Sequence, residues 1–268
     1  MSYIKLDNIS QVFGFGNTTR VALQQINLNI EAKSFVIIMG QSGSGKTSLL
    51  NVLGLIRQPI QGVYNLSGQA VTELSNSARA KLRRQKIGFL FENFNLSPNL
   101  NVFDNVSLPI IYNRPLNFTS RSNLVKEALN RLGLHNKEFL YPKQLSLAQA
   151  QRVAIARAII HKPDLIIADE PTGRLDSKAT DMIMKILKTL NQQGITIIMA
   201  THNPFLSQYA NRFVYLHDGF LKVNQTLQPN QQIDITKIQE AIQKQAWRRK
   251  NKSASTDQLV KTKTGLRD

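Results

Sequence analysis

The sequence predicts an α/β fold with parallel central strands, and three observations predict it. The apolar β-type run FVIIMG (Phe35–Gly40) leads directly into the glycine-rich stretch GQSGSGKT and then into a helical pattern. A second apolar run, LIIADE (residues 165–170), ends on two carboxylates. Between and beyond them DLIIAD, MIMKILKTLN, GITIIMAT and NRFVYLHDG read strand, helix, strand, strand, the alternation of a parallel sheet covered by helices.

Taken in order, the first ~30 residues read as short strands joined by a turn at GFGNTT (14–19). A helix is expected from about residue 46 to 57, and a strand at IGFLFE (87–92). From 93 to 141 the pattern is helical and loop-like, with an amphipathic stretch NLVKEALNRLGL (123–134) closed by Gly133. After Val223, NQTLQPNQQ reads as a polar linker. Asp234 is placed to cap a helix over about 234–249 that aligns Ile235, Ile238, Ile242 and Trp247. Beyond residue 250 the chain is polar and charged, a composition that favours disorder. No internal repeat is visible.

Composition narrows the function classes. At 268 residues and 42% hydrophobic content the chain can bury a full core. No apolar run reaches the ~18–20 residues of a membrane span. The opening MSYIKLDNIS alternates like a strand and lacks the apolar core of a signal peptide. With no cysteine, disulfide frameworks and thiolate metal sites are excluded. The formal net charge of +17 favours nucleic acid or an anionic membrane surface as partners, or is simply a solvated basic face. Basic residues cluster in RAKLRRQK (79–86) and WRRKNK (247–252).

The stretch Gly40, Gln41, Ser42, Gly43, Ser44, Gly45, Lys46, Thr47, followed by Ser48, fits G-x-x-x-x-G-K-[ST] with a strand before it and a helix after it. Glycines let successive N–H groups curl around phosphates, and the helix N-terminus adds its positive end. Lys46 is expected to reach the β- and γ-phosphates and Thr47 to ligate Mg²⁺. Asp169, at the end of an apolar strand, is placed to hold the magnesium shell, and Glu170 to polarise an attacking water. Together these residues read as a site for ATP and Mg²⁺.

In chain order GQSGSGKT, FEN at Phe91, LSLAQ at Leu145, ADEPTGRLD at Ala168 and ATHNP at Ala200 resemble the ATP-binding-cassette ATPases over residues 1–223. YPKQLS, QRVAIARA and DEPTGRLD are similar to the lipoprotein-release, macrolide-export and cell-division branch. The resemblance implies a P-loop NTPase fold with a RecA-like core, an N-terminal antiparallel β subdomain and an inserted α-helical subdomain at about 93–158. Residues 224–268 would be a basic extension. It further implies a head-to-tail dimer holding two ATPs, each between the P-loop of one subunit and the signature, here Ser146 and Gln149, of the other. Phe13 stands where the family stacks an aromatic on adenine, His202 where it has a histidine on the γ-phosphate, and Asp176 where it has an aspartate touching the opposite subunit.

Two departures matter. The family pattern LSGGQ is LSLAQ here, with Leu147 and Ala148 in place of the glycines. Ser146 and Gln149 still form the sequence of a capping box, and every backbone donor is kept, but bulk is added where a partner's phosphate approaches. Glu92 stands where the family has a glutamine that reaches Mg²⁺ and water; a carboxylate ligates Mg²⁺ too. Arg174 and Gln41 replace a usual asparagine and proline.

The resemblance therefore implies an ATPase, slowed to the extent that LSLAQ and Glu92 disturb the closed site. It would work on the cytoplasmic face of the membrane, as a homodimer or heterodimer. A separate membrane permease subunit would dock near Glu92 and the helical subdomain. The alternative is a non-hydrolysing or very slow nucleotide-gated half of an asymmetric dimer. A nucleic-acid ATPase is disfavoured, because the chain has neither a coiled-coil insertion nor a second cassette. The tail is either an anionic-lipid contact or solvated.

Overall fold

The computed structural model describes residues 2–13, 20–113, 116–229 and 231–244, and the side chains of 13, 20 and 113 are outside that description. The turn expected at 14–19, Trp247, the run 247–252 and the stretch beyond 250 lie outside the described residues. One compact unit reaches to Gln231, and a second begins at Gln232.

The chain opens on β1 (Ser2–Phe13) and β2 (Arg20–Glu31), an antiparallel pair of 12-residue strands rather than short ones. Their inward residues, Ile4, Leu6 and Ile9 facing Leu23, Ile26 and Leu28, are fully buried. The alternation slips by one between Leu6 and Ile9, where the register shifts and Asn8 takes a positive φ of 55°. That bulge returns Ile9 to the core face, and it also makes one long strand look like two short ones in sequence. With β4 (Gln61–Leu66) and β5 (Gln69–Ala70) they form a four-stranded sheet in the order β2-β1-β4-β5.

The second sheet is the frame of the molecule. Its strands are β3 (Phe35–Gly40), β6 (Ile87–Phe91), β7 (Leu165–Asp169), β8 (Thr196–Ala200), β9 (Arg212–His217) and β10 (Phe220–Thr226), in the order β10-β9-β3-β8-β7-β6. All neighbours are parallel except the edge pair β9–β10. β3, β7 and β8 are buried along nearly their whole length, as strands covered on both faces must be. Val36 and Ile38 share one apolar cluster with β1, β2 and the helix α1 (Lys46–Leu53), which locks the two sheets together around α1.

α1 stops at Leu53, four residues short of the expected 57. Gly54 is its C-cap, with the Phe89 ring lying where a Cβ would sit, and the chain then leaves the helix as Leu55 turns left-handed at φ 56°. α2 (Asn76–Lys86) carries the whole of the first basic cluster and buries no residue. Between β6 and β7 lie α3 (Val102–Asn113), α4 (Phe118–Arg131) and α5 (Leu147–Ile159). α4 starts earlier than the amphipathic stretch, because Asn117 Oδ1 accepts from Ser120 N at 2.8 Å. α6 (Ser177–Gln192) connects β7 to β8 and packs against β8 and α5.

Residues 224–226, expected in a linker, continue β10 instead. Their backbone pairs with Val214, Phe213 and Arg212 of β9, and Arg212 Nε donates to Asn224 Oδ1 at 2.9 Å. An edge strand with polar side chains is legible only once its partner is known. In the second unit residues 235–244 are helical, and Asp234 Oδ1 caps them by accepting from Lys237 N at 3.2 Å. Among the described residues no helix is long and apolar enough to cross a membrane.

Gly88 of β6 lies so close to α5 that an added Cβ would collide with the Ala158 carbonyl oxygen. Gly88→Ala is therefore expected to lower the unfolding free energy by about 1–3 kcal/mol, read by urea denaturation.

Candidate active site

The site is built where β3 and β7 end. β8 lies between them, and Ala200 pairs with Ile38, two residues before the end of β3, on one side and with Asp169, the end of β7, on the other. From the end of β3 the chain turns through residues 40–45 into α1. Gly45, the residue before α1, has a φ of 102°, and a Cβ there would strike the Ala22 carbonyl. A Cβ on Gly40 would strike the Leu216 carbonyl of β9. These two glycines let the loop lie flat against its neighbours.

Gly45 has no side chain to cap α1, and the first turn contains no acid, so the first N–H groups stay open to an anion. Gln41, Ser42 and Gly43 are exposed along the rim, and Ser48 is half-buried in the first turn. Ser44 is buried with its Oγ unpartnered. Lys46 Nζ folds back to donate to the carbonyls of Gly40 at 2.8 Å and Gln41 at 3.0 Å. Burial pulls its pKa below the ordinary lysine value, while Glu170 and then Asp169 pull it back up.

Thr47 Oγ1 donates to Asp169 Oδ2 at 2.9 Å, a contact spanning 122 residues of sequence. One residue on, Glu170 sits at a φ of 46°, and its N–H is tied to Ala200 O at 3.0 Å. This left-handed step turns its side chain away from Asp169. Glu170 Oε1 instead lies 3.0 Å from Nδ1 of His202, which follows β8. His202 is largely exposed, at 74% of its side chain, whereas Glu170 is at 18%. A cavity of about 410 Å³ opens on Glu170, Thr201, His202 and Phe205. A carboxylate backed by an imidazole in such a cavity can accept a proton from water.

The structure thus joins Lys46, Thr47, Asp169, Glu170 and His202 in one place. Glu92, just past β6, leans on Gly173 of the same carboxylate loop, where a Cβ would come 3.4 Å from its Oε1; no hydrogen bond joins it to Thr47 or Asp169. Phe13 ends β1, and its side chain lies outside the described residues. Within one chain the other three candidates cap helices. Ser146 Oγ accepts from Gln149 N at 3.2 Å, and Gln149 Oε1 accepts from Ser146 N at 2.9 Å, the capping box of α5. Asp176 Oδ1 accepts from Ala179 N at 2.7 Å at the start of α6. Leu147 projects from the first turn of α5 with 48% of its surface exposed.

Sequence reasoning passed over Gln151 and Arg157, inside the quoted QRVAIARA. Gln151 is fully buried, and its Nε2 donates to Pro171 O at 2.6 Å, which ties α5 to the carboxylate loop. Arg157 donates to the carbonyls of Phe94, at 2.7 Å, and Asn95, holding the segment after Glu92. A polar residue on the apolar face of a helix was the available signal. Gln151→Ala orphans the Pro171 carbonyl and is expected to cost about 1–3 kcal/mol of stability, measured by chemical unfolding.

A family profile described as ABC transporter matches residues 23–173, more than half of the 268. A macrolide export ATP-binding/permease protein of Campylobacter jejuni is 48% identical over 197 residues, which are 74% of this chain and 31% of that protein. The chain thus spans about a third of the macrolide export proteins it matches. An uncharacterised ABC transporter ATP-binding protein of Methanocaldococcus jannaschii, MJ1508, is 44% identical over 216 residues, 81% of this chain and 96% of that protein. Among solved structures, the dimeric post-hydrolysis state of the cassette MJ0796 with ADP and Pi superposes with a TM-score of 0.78 at 38% identity, covering 84% of this chain and 99% of that one. The cassette cbiO1 of Clostridium perfringens, part of the cbiONQ transporter complex, gives a TM-score of 0.74 at 28% identity, covering 84% and 88%.

Proposed function

Because this chain belongs to the ABC transporter family of ATP-binding proteins, we propose that it binds and hydrolyses ATP with Mg²⁺ as the energising subunit of a membrane complex. The carrying observation is the placement of Glu170. It lies one residue beyond the Thr47–Asp169 contact, turned by its own left-handed backbone toward His202.

The residues present fit the expected groups. The unpartnered, buried Ser44 Oγ and the open N–H groups of α1 match phosphate oxygens, and Lys46 sits at the mouth of the same loop. Among the described residues no cluster of three or more His, Cys, Asp or Glu gathers to hold a metal ion. Mg²⁺ suits such a site, since it is commonly held by one or two side chains together with substrate phosphates. Thr47 and Asp169 would hold it, with Glu92 as a further candidate ligand. When bound, it would neutralise charge on the phosphates. Glu170 would take the proton of the attacking water, and His202 would hold that carboxylate and reach toward the γ-phosphate. Phe13 would stack on adenine.

The head-to-tail dimer is supported by the MJ0796 dimer and by the chain's own geometry. Ser146, Gln149 and Asp176 make no hydrogen bond to the phosphate loop of their own chain, and all three lie at helix N-termini, which suit a phosphate or a facing backbone. A membrane permease subunit is supported by the ATP-binding/permease relatives and by the transporter complex containing cbiO1. Its coupling segment would enter the groove between the core and α3, beside Glu92. That would place the chain at the cytoplasmic face of the membrane.

A second reading rests on Leu147. Its half-exposed side chain and Ala148 occupy the first turn of α5, the part of the signature that a partner's phosphate would approach. In a homodimer this bulk would stand in both sites; a partner cassette with glycines there would complete this chain's own P-loop. The chain would then be one half of an asymmetric, slowly turning dimer.

Steady-state phosphate release by the full chain with its membrane subunit is expected to fall about 100- to 10,000-fold in Glu170→Gln, the range for loss of a general base. Equal rates in the two proteins would overturn the hydrolytic reading. In the Glu170→Gln background, the double substitution Leu147→Gly with Ala148→Gly is expected to cost up to ~1 kcal/mol of helix stability per residue. If the second reading holds, it is also expected to raise ATP-dependent dimer formation, followed by sedimentation.

A further inference from the structure

Among the described residues the His202 ring has one hydrogen-bond partner, Glu170 Oε1 at 3.0 Å from its Nδ1, and the rest of the ring is largely exposed. Its place is therefore set by the backbone that carries it. Directly after it, Pro204–Tyr209 form a six-residue 3₁₀ helix. Such helices rarely run beyond three or four residues, because their hydrogen bonds are poorly aligned. This one is fixed at its start by Asn203, whose Oδ1 accepts from Phe205 N at 3.0 Å, and in its middle by the buried Leu206 and Ser207.

The far end of this helix is fastened to α6. Tyr209 Oη donates to Asp181 Oδ1 at 2.5 Å, and Lys188 Nζ, also on α6, donates to the Tyr209 carbonyl at 3.0 Å. The other oxygen of Asp181 is paired with Lys185 Nζ at 2.7 Å, one turn further along α6. Lys185 and then Tyr209 hold the Asp181 carboxyl below the usual carboxylate range. Burial, and then the bond to Asp181, push the Tyr209 phenol up to about 12. At neutral pH the donor is thus neutral and the acceptor charged, the pairing in which O–H···O⁻ bonds are short and strong. Tyr209 and Asp181 line the same cavity of about 410 Å³ as Glu170 and His202.

We infer that Tyr209 is a positioning residue, whose bond to Asp181 anchors the 3₁₀ helix to α6 and so keeps His202 at Glu170. This rests on the reading of Glu170 and His202 given above and adds a residue that acts through His202. A helix of marginal geometry shifts once one end is released. His202, one residue outside its N-cap, moves with it, because the single hydrogen bond of an exposed ring is worth only about 1 kcal/mol. Phenylalanine at 209 would fill the same space without the donor, so the bond to Asp181 alone is removed.

The test uses nuclear magnetic resonance of the full chain labelled with ¹⁵N at its histidines, His135, His161, His202 and His217. Tyr209→Phe is expected to shift the ring-nitrogen signals of His202 toward those of Glu170→Ala, which removes the partner outright, and to leave His161 unchanged. Asp181→Asn keeps an oxygen acceptor for the phenol and is expected to keep the wild-type His202 signals. Phosphate release is expected to fall about 10- to 100-fold in Tyr209→Phe with the KM for ATP unchanged, the loss that a misplaced group brings. Wild-type His202 signals in Tyr209→Phe would overturn the inference, and so would shifted signals with an unchanged rate. Should Tyr209→Phe fail to fold, losing the His161 and His217 signals as well, Asp181→Ala takes its place with the same expectations. A wild type that releases no phosphate would overturn the hydrolytic reading, and the His202 signals would still decide whether Tyr209 is the anchor.

Discussion

The placement of β8 between β3 and β7 is the constraint from which the site follows. Ala200 is paired with Ile38 on one flank and Asp169 on the other. The carboxylate strand therefore ends at the level of Ile38, two residues before the phosphate-loop strand ends at Gly40. Only then can Thr47, in the first turn of α1, reach Asp169 at 2.9 Å. The same strand fixes Glu170 through its N–H to Ala200 O and delivers His202 two residues later. Three segments distant in sequence are brought together by backbone ladder geometry, and the side chains need only be the right ones. A ligand crevice outside the carboxyl ends of parallel strands is the general rule for open α/β sheets, and the proposed site lies at such strand ends.

α5 links that crevice to the rest of the molecule. At its N-terminus Ser146 and Gln149 close a capping box, and Leu147 stands exposed. Midway, Gln151 holds the Pro171 carbonyl after Glu170, and one turn and a half further on Arg157 holds the segment after Glu92. One rigid helix thus touches the proposed partner-facing end, the carboxylate loop and the segment after Glu92. A shift of α5 would reach all three, which gives a physical route between nucleotide and membrane subunit in the proposed function.

Much of this was legible because it depends on local pattern. Apolar runs ending in glycine or carboxylates marked β3 and β7, and the loop with Lys46 and Thr47 carried its own context. The capping of α5 by Ser146 followed from spacing alone. What escaped was set by long-range packing. The bulge at Asn8 hid two 12-residue strands behind a broken alternation. Gly54, held against the Phe89 ring, and the left-handed Leu55 after it ended α1 early. The polar residues 224–226 joined β10 because β9 offered them a ladder. Gln151 and Arg157 were hidden for the same reason: their partners are backbone carbonyls, which have no signature in a sequence.

In the proposed function Lys46, Thr47 and Asp169 assemble this crevice into a Mg²⁺–ATP site. Titration calorimetry of ATP with Mg²⁺ into the full chain tests it most directly, with Lys46→Ala beside the wild type. Saturable binding by the wild type is expected, with a loss of at least about tenfold in affinity for the variant, the equivalent of about 1.4 kcal/mol. Equal affinity in the two proteins, or no binding by the wild type, would contradict it.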